Sequence, residues 1–268
     1  MNYTEIFDRL WDMYTKQNPS VQKVYDLFTK EGETVKNDHI AFRTFNDPRV
    51  GVNVLAKPIL KAGYVENGQY DFPSKKLNAK HYEHATDKDA PRIFISELRL
   101  EDFGPELQAV AKTAIDNIPA ELLASDELIF SGSVFGKPSF ATYQKLREES
   151  EYAAWLYVYG FCANHFTVSI NSLKTMPEIC LVNKFLKNNG FLINDSGGEV
   201  KGSSEELLEQ SSIKAEVIPI EFAEGVQNIP GCYYEFAKRY PDTDGKLYSG
   251  FIAKSADKIF ESTDFYSK

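Results

Sequence analysis

The sequence predicts an α+β fold in which one strand–helix–strands unit is used twice. Three observations carry this. Asp38-His39-Ile40-Ala41-Phe42-Arg43 and Asn164-His165-Phe166-Thr167-Val168-Ser169 can be laid over each other, each with a histidine near its start. Each leads into an apparent helix closing on Leu-Lys and then Gly-aromatic, Leu60-Lys61-Ala62-Gly63-Tyr64 and Leu186-Lys187-Asn188-Asn189-Gly190-Phe191. His39 precedes Gly63 by 24 residues and His165 precedes Gly190 by 25. A potential metal ligand at the same place in two related copies suggests a metal held between two halves.

The elements follow in order. Residues 2–16 read as an amphipathic helix, with Ile6, Leu10, Met13 and Tyr14 at helical spacing. A second helix is expected over Val21 to Lys30. His39 to Thr44 alternates as a strand, with Ile40, Phe42 and Thr44 on one face and His39, Ala41 and Arg43 on the other. Asn46-Asp47-Pro48 is a turn, and Val52 to Lys61 is expected as one helix. Asn67-Gly68 and Pro73-Ser74 signal hairpin turns from Tyr64 onward, and Arg92 to Leu98 is a strand. A helical stretch around Leu107 to Ala114, another over Pro119 to Leu123, and a long helix from Gln144 to Tyr159 complete the middle of the chain. The order then repeats: a strand opening at His165, a helix with Pro177 in its first turn, and a turn at Asp195-Ser196-Gly197-Gly198. Ser203-Ser204-Glu205-Glu206 resembles a capped helix start. Val217 to Phe222 and Cys232 to Ala237 read as strands. The expected organisation is one catalytic domain, 1–268, with modules at 32–100 and 161–268 joined by a helical connector at 101–160.

Composition narrows the function classes. Of 268 residues, 43% are hydrophobic and 26% charged, which reads as a soluble globular protein. A net charge of −9 with interspersed signs offers no phosphate-binding stripe, so no nucleic-acid partner is expected. The longest apolar run, Ala153 to Ala163, is too short to span a bilayer. Cys162, Cys180 and Cys232 are odd in number and widely spaced, and Met1-Asn2-Tyr3-Thr4-Glu5 does not open a signal peptide. A cytoplasmic location is expected, and a homodimer is the expected assembly if the chain associates. No phosphate loop or G-x-S-x-G elbow is present.

The chemistry then rests on few residues. There are four histidines: His39, His81, His84 and His165. Arg43, four residues past His39, projects from the same strand face about 13 Å along the axis. A metal ligand and a guanidinium on one face suit a charged substrate anchored at both ends. Glu235, in Tyr233-Tyr234-Glu235-Phe236-Ala237, places a carboxylate among aromatic residues, where it needs a partner, and a cation would serve. Its first-module equivalent is Glu97. Two histidines and one carboxylate leave coordination positions open, as in non-haem Fe(II) oxygen chemistry. Blander readings stand beside this. A strand histidine is commonly just hydrogen-bonded, Glu235 could pair with Lys238 or Arg239, and Arg43 could be an ordinary ion-pair residue. His81 and His84 could share a metal on a helix but would face opposite sides of a strand.

Taken together, Asp38–Arg43, Arg92–Leu98, Asn164–Thr167, Leu207–Ser212 and Cys232–Ala237 resemble the family of unknown-function domains that includes 2-oxoadipate dioxygenase/decarboxylase. That resemblance implies paired βαβββ modules forming a vicinal-oxygen-chelate-like curved sheet around a metal, with extra helices. It implies His39, His165 and Glu235 as Fe(II) ligands, Arg43 as clamp for the distal substrate carboxylate, and Glu97 as the unused counterpart of Glu235. The implied reaction takes 2-oxoadipate and O2 to 2-hydroxyglutarate and CO2, in lysine breakdown. Two alternatives keep the fold: a glyoxalase-like isomerase or lyase needing another metal and no O2, with Glu97 as fourth ligand, and a ligand-binding protein without turnover.

Overall fold

Amphipathic spacing sets the first two helices. In the computed structural model, which describes residues 1–263, α1 spans Tyr3–Gln17 and buries Ile6, Phe7, Leu10 and Tyr14. α2, Pro19–Lys30, opens with proline in its first turn and buries Val21, Val24 and Phe28. The chain divides into two compact units, one of Met1–Tyr14, Ala41–Asn164 and Val217–Ile229, the other of Thr15–Ile40, His165–Glu216 and the residues from Pro230 on.

The first unit contains a βαβββ run. β1, Asn37–Phe45, enters it at Ala41. Two short helices follow, α3 at Val52–Leu55 and α4 at Lys57–Lys61, where one helix was expected. Pro58 explains the break, since proline has no N–H to continue the α3 ladder. β2 (Tyr64–Phe72), β3 (Leu77–His84) and β4 (Arg92–Leu98) form an antiparallel meander. The hairpin turn lies at residues 73–76. Asn67-Gly68 is instead a bulge inside β2, where the register shifts between Glu66 and Gly68. A Cβ on Gly68 would sit 2.6 Å from His81 Nδ1, so glycine lets that ring pack against the strand.

α5 (Pro105–Asp116) and α6 (Ala120–Leu123) follow as expected. The long helix expected to Tyr159 is two, α7 (Phe140–Glu149) and α8 (Glu151–Tyr159). Ser150 separates them with extended backbone, and its hydroxyl accepts from Ala153 N as a new cap. Gly160 ends α8 at φ 63°, and a Cβ there would lie 1.9 Å from Gly132 O, so only glycine fits.

The second unit repeats the run. β5 is Ala163–Ser169, entering this unit at His165. α9, Ile179–Asn188, begins two residues after Pro177, which therefore precedes the helix. β6 (Lys201–Ser203) and β7 (Leu208–Ser212) form a hairpin. The Ser203–Glu206 stretch is its turn, not a helix start; the Ser203 hydroxyl accepts from Glu206 N within that turn. β8 (Val217–Phe222) and β9 (Gly225–Pro230) form a separate two-stranded hairpin, whose residues 217–229 belong to the first unit. β10 covers Glu235–Arg239, so Cys232–Tyr234 precedes the strand as buried irregular chain. It runs parallel to β5, with Glu235 opposite Thr167, and antiparallel to β7. α10, Ala253–Phe260, follows. No helix among the described residues is long and apolar enough to cross a membrane.

Candidate metal centre

Backbone register brings the ligand candidates together. Cross-strand partners share a sheet face, so Glu235 on β10 and Thr167 on β5 project together, and His165 lies two residues earlier on that face. His39 comes from the first residues of β1, and Lys36 O accepts from Ser169 N at 2.8 Å beside it. The ligand atoms of His39, His165 and Glu235 all lie within 4.8 Å of one another, and all three residues are buried. His165 Nε2 is 3.1 Å from Glu235 Oε2, and His39 Nε2 is 3.5 Å from Glu235 Oε1. Two imidazoles and a carboxylate turned on one point match the donor set of a divalent metal.

The alternative ion-pair readings of Glu235 do not hold. Lys238 reaches Glu178 at 2.5 Å, and Arg239 reaches Asp38. Glu235 is fully buried, and burial pushes its carboxyl up to about 8, against the hydrogen bond from Gln210. No described residue donates a hydrogen bond to Oε2. A buried carboxylate left this costly is what a bound cation would relieve.

The supporting residues lie beyond what the strand pattern shows. Arg239 grips Asp38 through Nε and Nη2 at 2.7 and 2.9 Å. Asp38 Oδ2 lies 2.9 Å from His39 Nδ1. Burial alone would raise the Asp38 carboxyl, but Arg239 and His39 outweigh it and hold it far below the usual range. As a carboxylate it accepts the Nδ1–H of His39, which leaves Nε2 as the donor toward the centre. Thr167 Oγ1 is 3.1 Å from that Nε2. Tyr233 stacks on the His165 ring at 4.7 Å, and Phe251 meets the His39 ring edge-on at 4.8 Å. Gln210 donates to Glu235 Oε1 at 2.6 Å. Asp38 and Gln210 both sit in the matched motifs, yet neither has spacing that announces a role.

The remaining candidates are placed elsewhere. Arg43 is 1% exposed, its guanidinium 4.9 Å over the Tyr152 ring and 5.0 Å over Trp155, with Glu151 Oε2 3.5 Å away. Glu97 Oε2 accepts from Val52 N at 2.8 Å and so caps α3. His81 and His84 lie on a strand, not a helix. His81 Nδ1 is 2.8 Å from the Tyr70 hydroxyl, while His84 Nδ1 accepts from Asp87 N at 2.9 Å. Neither joins a cluster of three metal-binding groups among the described residues.

The chain is similar to several known proteins. The family model for 2-oxoadipate dioxygenase/decarboxylase matches residues 6–129 and 129–246. A chloroplastic/amyloplastic protein of that name from Oryza sativa subsp. japonica is 34% identical over 290 residues, covering 97% of this chain and 78% of the relative. The crystal structure of hydroxyglutarate synthase from Oryza sativa in complex with 2-oxoadipate superposes with TM-score 0.91 at 33% identity, over 98% of this chain and 92% of that one. A protein of Shewanella frigidimarina NCIMB 400 named as a hydrolase is 48% identical, with TM-score 0.88 over 93% and 97% of the two chains. A glyoxalase-superfamily protein of Ralstonia eutropha JMP134, 21% identical, shares the fold with TM-score 0.74 over 90% and 83%. The fold is thus the α+β, vicinal-oxygen-chelate-like one that the family resemblance implied and with which the repeated module agrees. By sequence and by fold alike, the chain belongs to the 2-oxoadipate dioxygenase/decarboxylase family of enzymes.

Proposed function

We propose that the protein converts a 2-oxo diacid of the 2-oxoadipate type and O2 to the 2-hydroxy acid one carbon shorter, with loss of CO2, using Fe(II) held by His39, His165 and Glu235. For 2-oxoadipate the product is 2-hydroxyglutarate; CO2 leaves with the oxygens of the substrate's C1 carboxylate, and both atoms of O2 end in the hydroxy acid, one in its new carboxylate and one in its hydroxyl. The observation that carries this reading is the buried His-His-Glu set, with its ligand atoms within 4.8 Å, in a chain of this family. Iron(II), when bound, supplies the electrons for reaction with O2 and open positions for a chelating 2-oxo acid.

The protein's own residues do the rest. Asp38 keeps the proton on His39 Nδ1 and so keeps Nε2 available. Burial of His39, His165 and Glu235, with Tyr233 and Phe251 against the two rings, limits water at the centre. Arg43 is assigned to the distal carboxylate of the substrate, which a planar guanidinium binds at two points. Support for that assignment is the family resemblance and its place on β1, four residues past His39. Its stacking on Tyr152 and Trp155 holds the fork in one orientation.

The glyoxalase-like alternative needs a fourth protein ligand, and Glu97 is committed to capping α3. The odd, widely spaced set of three cysteines supports a reducing, cytosolic setting. The deciding experiment measures O2 uptake and CO2 release with Fe(II) across a panel of 2-oxo diacids. Equal uptake and release, greatest with 2-oxoadipate and absent under argon, is the expected result. Turnover under argon with Zn, Ni or Mn would replace this reading with the isomerase or lyase.

A further inference from the structure

Glu235 has two carboxylate oxygens, and the structure treats them differently. Oε1 accepts a 2.6 Å hydrogen bond from Gln210 Nε2, whereas Oε2 lies 3.1 Å from His165 Nε2 and receives no hydrogen bond from the described residues. Gln210 is 2% exposed and sits on β7, the strand hydrogen-bonded to β10. Its partner is therefore set by the sheet and not by a mobile surface side chain. We propose that Gln210 is a positioning residue that restricts Glu235 to one-oxygen metal ligation through Oε2. The inference rests on the metal-site reading but not on any particular substrate.

The physical reason lies in competition for lone pairs. A carboxylate can close on a metal with one oxygen or both, and two-oxygen binding consumes a further coordination position. A short, charge-assisted hydrogen bond to Oε1 lowers that oxygen's electron density and holds the carboxylate plane. The position so spared is one that a two-point substrate and O2 together would need. A primary amide suits the role because it carries no charge of its own to compete for the metal or to repel it. On β7 the next residue, Ser211, turns to the other face, where its hydroxyl donates to Asn183 Oδ1 at 2.7 Å, so Gln210 alone of this pair serves the ligand.

The test uses Co(II), whose visible ligand-field absorption weakens as its coordination number rises, on the full-length protein. Gln210→Met keeps the side chain's length and removes the donor. Gln210→Asn keeps the amide but withdraws it by one methylene, and it serves should the Met variant fold poorly. Both should bind Co(II) about 10- to 100-fold more weakly than wild type, the usual cost of losing a partner to a metal ligand. Both should also show weaker visible bands per bound Co(II), with thermal unfolding of the metal-free protein checked in parallel. Unchanged bands and affinity in a folded variant would overturn the role of Gln210 while leaving the metal site intact. Wild-type protein that binds no Co(II) would overturn the metal reading and this inference with it.

Discussion

Arg239 and Asp38 form a two-point ion pair at 2.7 and 2.9 Å, with both side chains less than 5% exposed. The same aspartate receives the Nδ1–H of His39, so a residue on β10, four positions past Glu235, orients the His39 ring on β1. Arg239 also donates to the carbonyls of Tyr248 and Gly250, which ties the chain before α10 to the same group. Removing one partner strands the other as a buried charge. Arg239→Met should therefore destabilise the protein by about 3–5 kcal/mol, read by urea unfolding. Asp38→Asn should fold but bind metal about 10- to 100-fold more weakly, read by titration calorimetry.

The protonation of Glu235 couples metal to pH. Its carboxyl is raised to about 8 in the metal-free fold, well above its unfolded value. The folded state thus holds this proton more tightly than the unfolded state. Its contribution to stability is fully present below the ordinary carboxylate pKa and is lost as pH climbs through about 8. Metal-free protein should lose stability over that interval, and Glu235→Gln should flatten the loss. Metal binding must displace the proton, so metal affinity should rise with pH up to about 8 and level off above it. Calorimetric titrations at several pH values check both signs.

Metal should also stabilise the fold directly. At a concentration 100-fold above its dissociation constant, a ligand bound only by the folded state contributes about 2.7 kcal/mol. For a chain of this size that corresponds to a rise of roughly 5–10 °C in Tm. His39→Ala, His165→Ala and Glu235→Gln should each abolish the rise, seen by thermal unfolding with and without Fe(II) under argon.

Arg43→Lys should keep metal binding and lose most turnover, because an ammonium cannot reproduce the two-point contact with a carboxylate. Oxygen uptake alongside metal analysis checks it, and wild-type turnover in the lysine variant would remove the clamp assignment.

Glu97→Gln should leave metal content unchanged and cost about 1 kcal/mol, since a neutral amide accepts less strongly from the start of α3. Loss of metal in this variant would instead make Glu97 a ligand.

What the sequence by itself determined is the repeated module and its candidate donors. Period-2 alternation and matched His-to-Gly spacing marked the two histidine strands, and a glutamate among aromatics marked Glu235, because those signals are local and written in residue type. Tertiary structure alone decided the rest. The Asn67-Gly68 bulge, the α7–α8 break at Ser150 and the Ser203–Glu206 turn went against local signals, because pairing with β3, a new cap and the β6–β7 register outweighed propensities of a few tenths of a kcal/mol. All of β1 from Asp38 to Phe45 is buried, so alternation there could not tell a functional face from a packed one. Which partner each charge would take was equally hidden. Lys238 and Arg239 both stand near Glu235 in the chain, yet they pair with Glu178 and Asp38. Sequence proximity does not set such choices; strand direction and register do, and they leave Glu235, with Gln210 at one oxygen, facing two histidines.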